Sequence, residues 1–339
     1  MRRRRHLQER NVGLRFAGMV AALVALALTL FIGVRWLDKR QEKPETLGDY
    51  RQRLAYENLI EVDGVSYRPR QRLTTVLLMG VDSDPDVAAS VGYRRGGQAD
   101  FLRLVVIDAA KKRISQIQLD RDTMTPITII GVLGDRSGVR TAQLALAHAF
   151  GDGQAQSCEL TVEAVSNLLL GIQIDFYTAM NMNGISVLND AVGGVTVTLE
   201  DDFSAQDGAM VKGATLTLTG DQAELFVRSR QSIGEGTNQE RMRRQQTYVS
   251  ALRTQINRRQ SENDNFISEL YDELSPHIVT NLSKGRLINE AWFAADYEHG
   301  ETYSLQGVHE IGKTGFMQFI PDDEALQRLV LELFYEEVR

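Results

Sequence analysis

The residues best equipped for chemistry are arginines and aspartates at the ends of regular elements. Asp82 closes the apolar run Val76–Val81, and Asp100 opens the run Phe101–Asp108. Asp120, Arg121 and Asp122 directly follow Arg113–Leu119. Arg228 and Arg230 follow a short helical stretch, Gly220–Val227. Arg241, Arg244 and Gln245 stand at i, i+3 and i+4 on a helix whose start is marked by the capping-box pair Thr237 and Glu240. That spacing puts them on one face near the positive end of the helix dipole. Taken singly, each has a bland reading. An aspartate after a strand is usually a turn former, and arginines near a helix end usually sit on a solvated face. Arg243, which points away from the Arg241–Arg244 face, suits that second reading. Taken together they describe one kind of site. Guanidiniums grip phosphate oxygens bidentately, and two carboxylates can hold Mg²⁺, which keeps several waters and favours substrate phosphates. Such an inventory suits a pyrophosphate.

Other chemistries lack their residues. The chain has no P-loop, nucleophile elbow, CxxC or HExxH pattern, and its histidines are scattered. Cys158 is the single cysteine, so no internal disulfide can form; in a helix-like segment it reads as a small buried apolar residue. Charge is divided along the chain. Residues 1–40 carry nine Lys or Arg against two Asp or Glu, a balance of +7, which leaves residues 41–339 at −14 within the total of −7. An acidic domain of that kind is a poor candidate for binding nucleic acid by phosphate neutralisation.

The elements that must position the arginines and aspartates begin with an anchor. Phe16–Val34 is an uncharged apolar run whose helical length matches a hydrocarbon core of about 30 Å. It is longer than a signal-peptide core and lacks a clean cleavage site, and it has no polar face as a core helix would. Arg2, Arg3, Arg4, Arg5 and Arg10 precede it, so the positive-inside rule puts the N-terminus in the cytoplasm and everything after about residue 40 outside. Residues 1–15 are then a basic cytoplasmic segment, 16–34 a transmembrane helix, and 35–73 a stem with a hairpin at Asp63-Gly64. Strands are expected at Val76–Val81, Phe101–Asp108, Arg113–Leu119, Ile174–Ala179 and Val195–Leu199. Helices are expected at 141–150, 157–170, Ile185–Ala191, Gly220–Val227 and from Thr237 to about Ile256. The alternation implies an α/β fold, a mixed central sheet flanked by helices on both faces. Residues 259–339 read as an extension that ends in the amphipathic helix Asp322–Glu337.

The order of motifs is specific. LLMGVD, GGQADFLRLVVID, SQIQLDRDTM, LLLGIQIDFYTAMNMNGISVLNDAVGGVTVTL, LTGDQAELFVRSR and GTNQERMRRQQ together resemble the LytR–CpsA–Psr family, from about Thr74 to about Ile256. A short cytoplasmic segment, one membrane helix and an external three-layer α/β/α domain, here residues 74–258, are also that family's layout.

The resemblance implies a membrane-anchored phosphotransferase of Gram-positive cell-wall biogenesis. It would move a glycopolymer, such as teichoic acid or capsule, from a polyprenyl-pyrophosphate carrier to a peptidoglycan hydroxyl, with a pyrophosphatase side activity. A lipid-binding or regulatory envelope protein without transfer is the alternative, and no nucleic acid is implied. Carried over by position, Asp82 and Asp100 match Mg²⁺-side aspartates. Arg121, Arg228, Arg230, Arg241, Arg244 and Gln245 match the pyrophosphate-binding set. Arg121, Asp122 and Arg241 match its catalytic core, Asp122 as a base or an orienter. The helices at 157–170 and 185–191 are candidates to line a lipid tunnel. Three positions depart from the family pattern: Gln98 stands where an arginine is usual, Asp120 where a proline is, and Asn238 where an aspartate is. Arg94 or Arg95 is a candidate substitute for the missing arginine. His148 reads as structural.

Overall fold

The computed structural model describes residues 59–82, 96–131, 134–229, 233–234, 236–295 and 297–338. The expected membrane helix at 16–34 lies outside them, and among the described residues no helix is long and apolar enough to cross a membrane.

A hairpin opens the described chain, β1 (Ile60–Val62) and β2 (Val65–Pro69). Asp63 and Gly64 form its two-residue turn with φ of 51° and 75°, the left-handed pair that matches strand twist. A six-stranded mixed sheet follows. It is built from β3 (Leu73–Asp82), β4 (Gln98–Asp108), β5 (Arg113–Leu119), β8 (Phe176–Asn181), β11 (Ile278–Thr280) and β12 (Glu298–Ser304), in the order β11-β8-β3-β4-β5-β12. β3 is antiparallel to β4 and parallel to β8, and β12 is parallel to β5. Two edge strands thus come from residues after 258. That segment, read from sequence as an extension, is woven into the sheet.

Alternation along the strands gives the sheet two different faces. One face presents Leu77, Met79, Val81, Leu102, Leu104, Val106, Ile117 and Leu119, all buried. It packs against α1 (Leu146–Ala149), α2 (Ala155–Leu168) and α8 (Asp323–Phe334), whose Leu326, Val330, Leu333 and Phe334 are buried in the same core. The other face presents Leu78, Gly80, Phe101, Thr178 and Met180 towards α3 (Met182–Ala191), α5 (Asn238–Glu262), α6 (Phe266–Leu274) and α7 (Lys284–Ala295). These helices share a second core with β9 (Val195–Thr198), β10 (Thr215–Leu218) and α4 (Gly220–Arg228).

The local signals explain the helix starts. Thr219 caps α4 in a full capping box with Gln222, and the Thr237 hydroxyl accepts the Glu240 N–H at the start of α5. Asn181 caps α3, and Gly193 and Gly194 follow its end at φ of 83° and 88°.

One expectation fails locally. The Ala-rich stretch 141–150 is helical only at α1; its start belongs to β7 (Arg136–Gln143), which pairs with β6 (Met124–Ile130). Strand pairing there overrides helix propensity. The expected strand at Val195–Leu199 forms, but it pairs with β10 outside the main sheet. A further hairpin, β13 (Gly307–Ile311) and β14 (Met317–Pro321), precedes α8, and β15 (Tyr335–Glu337) closes the described chain by pairing with β2.

Candidate functional site

The second face of the sheet does not meet its helices closely. Between them lies a cavity of about 440 Å³, lined by aliphatic side chains that include Leu78, Met180, Leu188, Leu252, Leu270 and Ile278. Its charged lining residues are Asp100, Arg228 and Arg241, with Gln245 beside them. Helix α3 contributes Ile185 and Leu188, as expected for 185–191. Helix α2 does not line it. The apolar stripe of 157–170 is spent on the packed face, where Cys158, Ala164, Val165 and Leu168 are buried.

A β-bulge aims Asp100 at this cavity. Val81 pairs with Ala99 and Gly80 pairs with Phe101, so Asp100 is the extra residue between them. The bulge shifts the alternation, leaving Ala99 on the packed face and turning Asp100 to the same side as Phe101. Gly97 makes this approach feasible: its φ is 63°, and a Cβ there would stand 2.6 Å from the Asp82 carbonyl oxygen.

Asp100 is held by two guanidiniums. Its Oδ2 accepts from Arg241 Nη1 at 3.0 Å, and its Oδ1 is in short contact with Arg121 Nη1. Arg121 Nη2 donates to Gln98 Oε1, and its Nε lies 3.6 Å from Asp122 Oδ1. Asp122 also accepts from Gln143 Nε2 at 2.9 Å. Buried and bonded in this way, Asp122 is arranged to orient Arg121. Asp82, at the end of β3, is about half exposed and pairs with Arg228 Nη2 at 3.3 Å; Arg228 also reaches Glu224 at 2.9 Å.

Two expected members stand apart. Arg244 is 3% exposed and turned away from the cavity. Its Nη1 meets Asp201 Oδ2 at 2.9 Å, its Nε donates to the Phe226 carbonyl at 3.2 Å, and its Nη2 donates to the Ser229 carbonyl. At 3.6 residues per turn, i+4 falls about 40° to one side of i and i+3 about 60° to the other, so Arg241 and Gln245 line the cavity while Arg244 clasps the end of α4. Arg230 lies outside the described residues, as do Arg94 and Arg95. Arg243 pairs with Glu200 on the exposed surface, as expected.

A second layer braces the first. Asp120 Oδ1 accepts the Asp122 N–H and Asn238 Nδ2, each at 2.8 Å. Asn238 Oδ1 in turn accepts from Arg241 Nη2 at 2.7 Å. His309 Nε2 meets Asp120 Oδ2 at 2.9 Å. Sequence reasoning singled out neither His309 nor Gln143. His309 sits in the β13–β14 hairpin, beyond the clear motif order, and nothing in its neighbourhood signals a site.

Burial shifts some neighbours. It lowers the Arg103 guanidinium to about 10, a side chain held by Gln116 and Gln246 at 3.0 and 2.7 Å. His148 is buried with Nδ1–H donating to the Gly96 carbonyl, and desolvation lowers its pKa. Desolvation pushes Cys158 up to about 12, which suits an inert core thiol.

Comparison with known proteins agrees with this architecture. A teichoic acid–peptidoglycan transferase named TagU from Halalkalibacterium halodurans is 32% identical over 162 residues, 48% of this chain and 46% of that protein. Biofilm regulatory protein A of Streptococcus mutans is 27% identical over 75% of this chain and 61% of its own length. The chain thus spans roughly half of these curated relatives. Among solved structures, protein gbs0355 from Streptococcus agalactiae superposes with a TM-score of 0.63 at 24% identity, covering 77% of this chain and 87% of that one. B. subtilis TagV gives 0.61 at 23%, covering 78% and 96%. TagT bound to LI-WTA gives 0.59 at 22%, covering 78% and 90%. The LytR_cpsA_psr family model matches residues 41–333, most of the sequence, and the chain belongs to that family.

Proposed function

We propose that this protein transfers a glycopolymer from a polyprenyl-pyrophosphate carrier to a peptidoglycan hydroxyl, on the outer face of a membrane to which residues 16–34 anchor it. The observation that carries the reading is an apolar cavity with Asp100, Arg228, Arg241 and Gln245 in its lining. Aliphatic walls accept an isoprenoid tail, and guanidiniums accept the phosphates that head it. The relative TagU, a polyisoprenyl-teichoic acid–peptidoglycan teichoic acid transferase by name, supports the same substrate class.

In this reading Arg121, Arg228 and Arg241 bind the pyrophosphate, and Gln245 supplies a neutral hydrogen-bonding group. The acceptor oxygen attacks the sugar-side phosphorus. The new O–P bond forms as the bridging P–O bond breaks, polyprenyl phosphate leaves, and the hydroxyl proton passes to solvent. Positioning and charge stabilisation are most of what such a transfer needs. Asp122 acts by holding Arg121 in place. Arg230 belongs to the binding set by its position in sequence. Arg244 serves as a brace between α5 and α4.

Asp82 and Asp100 fit a magnesium ion. They offer hard oxygen donors, and one guanidinium on each oxygen of Asp100 leaves further lone pairs. Arg121 and Arg241 already share Asp100, and Arg228 already meets Asp82 and Glu224, so a doubly charged pyrophosphate gains from a further cation. When bound, Mg²⁺ would neutralise charge on the leaving phosphate.

Anchoring has a physical use in this scheme. A donor confined to the same bilayer meets a tethered enzyme at raised effective concentration. Gln98 favours a second reading, since it places an amide oxygen on Arg121 where a further cation would help transfer. The protein would then bind the carrier without moving the polymer.

The test uses detergent-solubilised full-length protein with polyprenyl phosphate and a polyprenyl-pyrophosphate glycan. Binding and transfer by the wild type, and loss of both in Arg121→Ala, Arg228→Ala and Arg241→Ala, are expected. If all three variants retain binding and transfer, the site is elsewhere. Binding without transfer by the wild type selects the second reading.

A further inference from the structure

We propose that His309 is a positioning residue for the phosphate-binding arginines. Through Asp120 and Asn238 it sets the orientation of Arg241, and the β13–β14 hairpin is therefore a working part of the site. The inference rests on the pyrophosphate-binding reading above.

The chain of contacts is continuous. His309 Nε2 meets Asp120 Oδ2 at 2.9 Å, Asn238 Nδ2 donates to Asp120 Oδ1 at 2.8 Å, and Arg241 Nη2 donates to Asn238 Oδ1 at 2.7 Å. Arg241 Nη1 then holds Asp100 at 3.0 Å. Each link has a fixed direction. A carboxylate only accepts, so His309 Nε2 carries a hydrogen. Gln239 Nε2 lies 3.1 Å from His309 Nδ1 and donates to it, so Nδ1 is the acceptor. Gln239 is the residue next to Asn238 at the start of α5.

His309 is itself held rigidly. Its ring packs on Phe319 with centroids 4.7 Å apart. The Phe319 N–H donates to the Asp122 carbonyl at 2.9 Å, and Gln143 Nε2, which also holds Asp122, donates to the Met317 carbonyl at 2.7 Å. The hairpin is thus docked on the 120–123 turn from one side and on the start of α5 from the other.

Two departures from the family pattern meet in this chain. Asn238 can donate to Asp120 and accept from Arg241 at once. An aspartate at 238 has no hydrogen to give Asp120, and a proline at 120 has no carboxylate to receive it. Here Asn238 makes both contacts, and the Asp120 carboxylate it binds also engages His309.

The test titrates inorganic pyrophosphate with Mg²⁺ into detergent-solubilised full-length protein by calorimetry, alongside thermal melts. His309→Phe keeps a ring against Phe319 and removes both polar contacts. It is expected to weaken pyrophosphate binding about tenfold, about 1.4 kcal/mol, with a melting temperature within a few degrees of wild type. His309→Gln, which restores an N–H donor, is expected to recover affinity to within about threefold of wild type, about 0.7 kcal/mol. Asn238→Ala is expected to match His309→Phe, and the double variant to be no weaker than either single one, because both cut the same chain. Wild-type affinity in His309→Phe, or losses that multiply in the double variant, would overturn the inference and leave the proposed function standing. A wild-type protein that ignores pyrophosphate would instead overturn the reading of the site on which the inference rests.

Discussion

The two faces of the central sheet are made by the same strands and do opposite things. On one face, Leu77, Leu104 and Ile117 are fully buried in a core shared with the helices packed on it. On the other, Leu78, Phe101 and Met180 border a space of about 440 Å³. Side chains that line such a space make fewer dispersion contacts with the protein than those of the packed face. Adjacent residues on one strand thus serve separate ends: one set fills the packed core, and the next lines the cavity.

Filling the space is the most severe way to break that contrast. Leu188→Trp, pointing a large ring into the cavity, should reduce polyprenyl phosphate binding by roughly 100-fold or more, about 2.7 kcal/mol. Its melting temperature should stay near wild type, since the ring enters existing space. A binding titration with a parallel melt checks both, and a strongly destabilised protein with normal binding would reverse the picture. Truncation sharpens the contrast next. Leu104→Ala on the packed face should cost about 3 kcal/mol in urea unfolding, whereas Leu270→Ala, already beside empty space, should cost only about 1–2 kcal/mol. Equal losses would mean that the second face is as well packed as the first.

The polar groups give smaller effects. Arg241→Ala should destabilise the fold by about 2 kcal/mol because a half-buried, doubly engaged carboxylate loses one partner, while Arg243→Ala should cost less than about 0.5 kcal/mol. On the packed face, burial holds the His148 pKa below its ordinary 6.5. The unfolded chain then binds the proton more readily than the folded one. His148 therefore subtracts stability as pH falls below 6.5, until its folded pKa is reached. Melts of wild type and His148→Gln between pH 7.5 and about 5.5 should diverge in slope on the acid side, where the histidine adds its own term.

What sequence could show follows from the same contrast. β3 and β4 were legible as the apolar runs of strands buried in a central sheet, β5 by Ile117 and Leu119 on one face, and α5 because its cap is local. β6 was hidden by Pro126, and β7 by six exposed positions from Arg136 to Thr141. The short edge strand β11 carries too few residues to show a period. Asp82, Asp100, Arg121, Asp122, Arg228 and Arg241 were found by their positions at element ends. Arg244 looked equivalent to Arg241 because spacing alone does not say which side of a helix faces the sheet. The cavity was invisible for a deeper reason: an aliphatic residue against a void and one against a neighbour are the same letter.

One pairing described above also bears on the order of events during synthesis. β15 bonds to β2, and Glu336 reaches Arg68 across 268 residues at 2.7 Å. The sheet's outer strands, β11 and β12, likewise emerge after residue 277. The middle of the sheet is therefore made long before either flank or the closing strand exists. Contacts of such long range slow folding and leave strand edges bare meanwhile. A chain released early would carry most of the arginines and aspartates of its site, yet lack the hairpin that braces them and the strand that ties its last helix to its first hairpin.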